Sequence, residues 1–221
     1  MDIPKKLIID IEDKDNAIGY FYTSEDGEKS EAVLAGKRVI PVPENERSCE
    51  IYKLLGENCD VIFCTTQIRD DFRFYPVPQF SIFAVDTKGN CFGTIGGIGD
   101  IKDDNYPVGY VNRNGMFGKI TDSFKEFLEL VAYYPHWQEV IRCEQMGESY
   151  DLKAMEIGER ENNSQYLARQ REIQEILKVS KNPKSIELLI ANIQGKKEFL
   201  VYSSKEEAQK TNTFLDICSF D

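Results

Sequence analysis

The sequence predicts a protein that mixes strands and helices, and three of its features carry that prediction. As far as about Tyr110, runs rich in β-branched and aromatic residues alternate with short stretches of turn formers. The clearest helical periodicities come later, in TDSFKEFLELVAYY and SIELLIANIQG. Beyond about Tyr150 the composition turns polar and charged.

The elements justify themselves in order. KKLIIDI, AIGYFYT and AVLAGKRVIPV read as strands, separated by the turn compositions DKDN and SEDGEKS. PENERSCEIYKLLGEN reads as a helix, with Pro43 near its start, Ile51, Leu54 and Leu55 at helical spacing, and Gly56 near its end. CDVIFCTT and DFRFYPVPQFSIFAVD are strand-like again, although Pro76 and Pro78 fit an edge, bulge or loop better than a central ladder. TKGN then separates SIFAVD from CFGTIG, as a hairpin connection would. YPVGYVN is a further strand, ending at the turn Arg113–Gly115.

Ser123 with Glu126 three residues on makes a capping box for the next helix. Phe124, Phe127, Leu128 and Val131 supply its buried face, and Pro135 ends it. The polar stretch from Gly147 to Ser164 contains a connection. SQYLARQREIQEILKVS follows as a helix with Tyr166, Ile173 and Leu177 on one side. SIELLIANIQG is another, with Gly195 as a left-handed terminator, and EFLVY is a short strand. The expected division is residues 1–146 as one domain of strands and helices with its N-terminal strands, and 147–221 as a mainly helical C-terminal extension that either forms its own domain or packs against the first sheet.

The chain has 221 residues with 41% hydrophobic, enough for a sizeable core. Its 38 acidic against 27 basic residues, a net charge of −11, disfavour direct nucleic-acid binding, which needs clustered Lys and Arg. No apolar run is long enough to span a bilayer, and no export signal is legible at the start, so a cytoplasmic protein with no membrane partner is expected. The six cysteines form no C-x-x-C pair, and with a single histidine they do not suit a zinc site. No cofactor or metal is expected.

The stretch AVDTKGNCFGTIGGIGD poses the sharpest chemical question, because glycines at such density can cradle a phosphate. A P-loop requires a second glycine where Ile98 stands, followed by Lys and a hydroxyl residue. A dinucleotide fingerprint starting at Gly97 and Gly99 requires a glycine where Lys102 stands, with a helix after it. Both patterns fail, and a hairpin with a tight crossing is the expected role. His136 has no nucleophile or orienting acid placed beside it by sequence, so a surface or half-buried position at a helix end is expected. The acid pairs Asp70–Asp71 and Asp103–Asp104 lack the calcium-loop pattern and fit a solvated rim.

The order of the central motifs resembles the SUKH superfamily, whose bacterial members are mostly immunity proteins of polymorphic toxin systems. Here the apolar strand ends in Asp86, the turn carries Gly89 and Asn90, and the helix opens with Ser123, Phe124, Glu126, Phe127 and Leu128. The similarity spans about Glu44 to Tyr134. It implies an α+β domain, with helices packed on one side of a mostly antiparallel sheet. It also implies no catalysis, and a role in binding and blocking a cognate toxin. A nuclease with a basic cleft would suit an acidic inhibitor, and Asp70, Asp71, Asp100, Asp103 and Asp104 are then the candidate contact residues. The competing readings are a regulatory adaptor on the same scaffold, since fold does not fix function, and a hydrolase using dispersed carboxylates.

Overall fold

Residues 6–12, 31–65, 72–96, 105–162 and 164–210 are described by the structure, a computed structural model. The first strand, β1 (Lys6–Asp10), pairs in parallel with β2 (Glu31–Ala35). Gly36 turns the chain directly into β3 (Lys37–Val39), which joins the main sheet. The segment AIGYFYT and the C-terminal TFLDICSF lie outside the described residues.

Helix α1 (Glu50–Cys59) starts seven residues later than Pro43 and continues through Gly56. Burial of Leu54, Leu55 and Cys59 outweighs the modest helix penalty of one glycine. Asp60 ends the helix in the left-handed conformation instead, its N–H bonded to the Leu55 carbonyl. Among the described residues of CDVIFCTT only Ile62–Phe63 form a strand, β4.

Strand β5 (Tyr75–Val77) leads through a cis Val77–Pro78 peptide into β6 (Phe80–Val85), which pairs with β7 (Cys91–Ile95). Then come β8 (Val108–Val111) and β9 (Phe117–Thr121), the latter the second arm of the hairpin that turns at Asn112–Met116. The sheet order is β3–β6–β7–β8–β9, with β4 also paired to β6. All these pairings are antiparallel except β3 with β6.

Alternation along the strands divides the sheet residues between two cores. Phe92, Val108 and Ile120 face the helices, whereas Cys91, Ile95 and Val111 face the other way. A register shift between Ile82 and Ala84 lets both Phe83 and Ala84 join the helical side.

Helix α2 (Phe124–Tyr133) begins where expected, and Phe127, Leu128 and Val131 are buried in the main core. The Ser123 Oγ accepts from the Glu126 N–H at 3.1 Å, while the Glu126 carboxylate reaches Asp122 N–H rather than that of Ser123. Pro135 separates α2 from α3 (Trp137–Met146), a helix that the sequence patterns leave unassigned. His136 sits half-buried at its N-terminal end and Trp137 is buried.

The polar stretch after Gly147 also contains a helix, α4 (Leu152–Asn162). Helix α5 (Tyr166–Leu177) buries Tyr166 and Ile173, and α6 (Ser185–Gln194) buries Ile186 and Leu189. Ile173, Ile186 and Leu189 share one hydrophobic cluster with α1, α2 and the sheet. Gly195 is extended, at φ −74°, and not left-handed as its position suggests. The chain leaves α6 toward solvent and crosses beside β9, so no reversing turn is needed there.

That crossing carries the chain from the helical face to the opposite one. Asn192 Nδ2 donates to the Ile120 carbonyl at 3.4 Å, Lys119 pairs with Glu198 at 2.7 Å, and Phe199 lies buried among the residues of the second core. Strand β10 (Leu200–Tyr202) then pairs antiparallel with β5, and α7 (Lys205–Lys210) places Ala208 in a small third cluster. Among the described residues no helix is long and apolar enough to cross a membrane.

Candidate functional site

The turn between β6 and β7 is built around one buried carboxylate. Asp86 Oδ1 accepts from the backbone N–H groups of Lys88 at 3.0 Å and Asn90 at 2.8 Å. Its Oδ2 accepts from Asn90 Nδ2 at 2.7 Å, the Tyr110 hydroxyl at 3.2 Å and Gln138 Nε2 at 3.4 Å. A carboxylate this buried must be saturated with donors to stay in place. Asn90 Oδ1 in turn accepts the backbone N–H of Arg113 at 3.0 Å. Asp86 and Asn90 therefore lock two hairpin turns and the first turn of α3 together. Burial, then the charge of Asp86, push the Tyr110 hydroxyl well above the usual tyrosine range.

The glycines of this hairpin serve its backbone geometry. Gly89 is left-handed at φ +77°, where a side chain is strained. A Cβ on Gly93 would fall 2.7 Å from Phe80 Cζ and 2.8 Å from the Ser81 carbonyl oxygen, so β6 and β7 approach closely only because it is absent. Gly97 and Gly99 lie outside the described residues, as do Asp70, Asp71, Asp100, Asp103 and Asp104. The described anchors of the 97–104 segment, Gly96 and Asn105, follow β7 and precede β8. They stand at the end of the sheet opposite the Asp86 turn.

The locked turns open onto a groove of about 730 Å³ between α3 and α6, floored by β8 and β9. Its apolar lining comes from Tyr110, Ile120, Trp137, Ile141 and Ile193. Trp137 stands edge-on to Tyr110, ring centroids 5.2 Å apart. The floor is open at Gly118, where a Cβ would meet nothing within 4 Å.

Six cationic side chains line this groove against two carboxylates, Glu139 and Glu198, on a chain whose net charge is −11. Arg142 pairs with Glu139 at 2.7 Å and Glu148 at 2.9 Å, and Lys119 with Asp122 and Glu198, both at 2.7 Å. Burial would lower the Lys119 pKa, but its hydrogen bonds to Asp122 and Glu198 outweigh that and raise it. These paired cations brace the walls. Lys88, Arg113 and Lys197 are exposed on the rim and make no ion pair among the described residues.

No three His, Cys, Asp or Glu side chains among the described residues gather to hold a metal ion. The five described cysteines are free thiols, with only Cys49 exposed. Of the motif residues, Asn90 lines the groove, and Asp86 and Gly89 belong to the same turn. Ser123, Phe124, Glu126, Phe127 and Leu128 serve α2 and the core. Sequence reasoning missed the groove, since its cations come from two turns, β9, α3 and the crossing after α6, which carry no shared motif. Comparison with family models, curated proteins and solved structures finds no match to this chain.

Proposed function

We propose that the chain is a non-catalytic binding protein that captures a cognate toxin and neutralises it. This accords with the immunity role implied by the SUKH-like order of Asp86, Gly89, Asn90 and the Ser123–Leu128 helix start. The observation that carries the proposal is the groove, a concave, partly apolar surface held open by braced walls, with Lys88, Arg113 and Lys197 on its rim making no ion pair among the described residues. A ready-made surface of this kind binds without first paying to order itself. The net charge of −11 adds long-range attraction for a basic toxin such as a nuclease.

The test is co-expression with the toxin domain encoded beside the gene, scoring host survival and co-purification. Rescue with a stable complex is expected. An active toxin that kills in the presence of the folded protein would overturn the proposal.

A further inference from the structure

We infer that the groove seats an acidic segment of a partner protein, with carboxylates on Lys88, Arg113 and Lys197 and an apolar side chain lowered toward Gly118. The inference rests on the binding role proposed above and names the chemistry its surface recognises.

Two features of the groove select this occupant. Its rim cations stand on three separate segments, the β6–β7 turn, the β8–β9 turn and the crossing after α6, with an apolar floor between them. A compact inorganic anion would use one such cation and leave the floor unused. An extended acidic segment satisfies several rim charges while its apolar side chain covers the partly exposed Tyr110, Ile141 and Ile193. Nucleic acid is disfavoured, because a polyanion running past the rim meets a chain of net charge −11.

Gly118 supplies the space. It lines the floor, its backbone is not in the left-handed region, and an added side chain would project into open volume rather than into a neighbour. Gly118→Leu is therefore expected to fill the groove and leave the fold intact.

Trp137, the only tryptophan in the chain, lines the groove and gives a label-free signal of occupancy. The experiment titrates full-length protein with a short Asp- and Glu-rich synthetic peptide bearing leucines, following Trp137 emission and calorimetric heat. A Lys-substituted peptide, inorganic phosphate and ATP serve as competing probes. The acidic peptide is expected to bind, more weakly as salt rises. Its affinity is expected to fall roughly tenfold or more in Arg113→Glu, Lys197→Glu and Gly118→Leu, at unchanged melting temperature for the last two. Equal binding of the Lys-substituted peptide, binding of phosphate or ATP alone, or full affinity in both Gly118→Leu and Lys197→Glu would each overturn the inference.

Toxin neutralisation separates the two proposals. If wild-type protein and both variants rescue equally, the binding role stands and the groove assignment falls. If wild type fails to rescue but binds the acidic peptide through the groove, the toxin role falls and the groove assignment stands.

Discussion

The guanidinium of Arg113 lies across Gly89, so close that a Cβ on Gly89 would sit 2.7 Å from its Nε. Two turns from different hairpins are thereby packed face to face, and the Asn90 bond to the Arg113 N–H fixes their spacing. Gly89→Ala is expected to lose about 1–2 kcal/mol for the left-handed backbone alone, and more for displacing the guanidinium. In an Arg113→Ala background the cost should drop by about 1 kcal/mol, and a double-mutant cycle by urea denaturation measures that coupling. Strict additivity would mean that only the backbone angle matters.

Asp86 gathers five hydrogen-bond donors in a buried position. Asp86→Ala strands the Asn90 amide and the Tyr110 hydroxyl, and is expected to cost about 3 kcal/mol or more. Thermal or chemical unfolding checks this, and the loss of groove geometry should also appear as a shift in Trp137 emission.

Alkaline stability should follow Tyr110. Its hydroxyl is held protonated in the folded state above the ordinary tyrosine pKa, chiefly by burial and then by Asp86. The unfolded chain releases that proton first, so the contribution is whole below about pH 10 and declines as pH rises further. Tyr110→Phe should flatten the alkaline fall in stability relative to wild type, read from denaturation midpoints on both sides of that pH.

Burial pushes the Cys59 thiol up to about 12 and the Cys64 thiol up to about 11, whereas Cys49 is exposed. At about pH 8 a thiol-directed alkylating agent should label Cys49 and spare Cys59 and Cys64 until the protein unfolds. Mass spectrometry of peptides from native and denatured protein distinguishes the sites. Early labelling of Cys64 would show that β4 opens in the native state.

Ser123→Ala removes the acceptor for the Glu126 N–H and should destabilise the protein by about 1 kcal/mol. Ser123→Asp keeps an acceptor there and should restore most of the loss, measured by the same unfolding curves.

Legibility in the sequence followed the strength of the local signal. The β6–β7 hairpin was readable because Asp86, Gly89 and Asn90 are turn chemistry between apolar strands. Helix α2 was readable because its cap and its buried stripe agree. Helix α3 was not, although Trp137, Val140 and Cys143 recur at three-residue spacing, because charged and polar residues surround them just after a proline. Helix α4 presents only a thin apolar stripe, Leu152 and Met155, partly buried against the core. Of the groove, the sequence held the pieces without their juxtaposition. Lys88, Arg113 and Lys197 become neighbours of one cavity only through sheet order and the crossing after α6.

That crossing has a consequence for how copies of the protein meet. A terminal strand ordinarily offers a row of unpaired backbone groups to any other chain. Here Asn192 already holds the Ile120 carbonyl and Glu198 is tied to Lys119, so side chains from α6 and the crossing cover part of the outer border of β9. An incoming strand would have to displace these contacts before it could pair along the whole of β9.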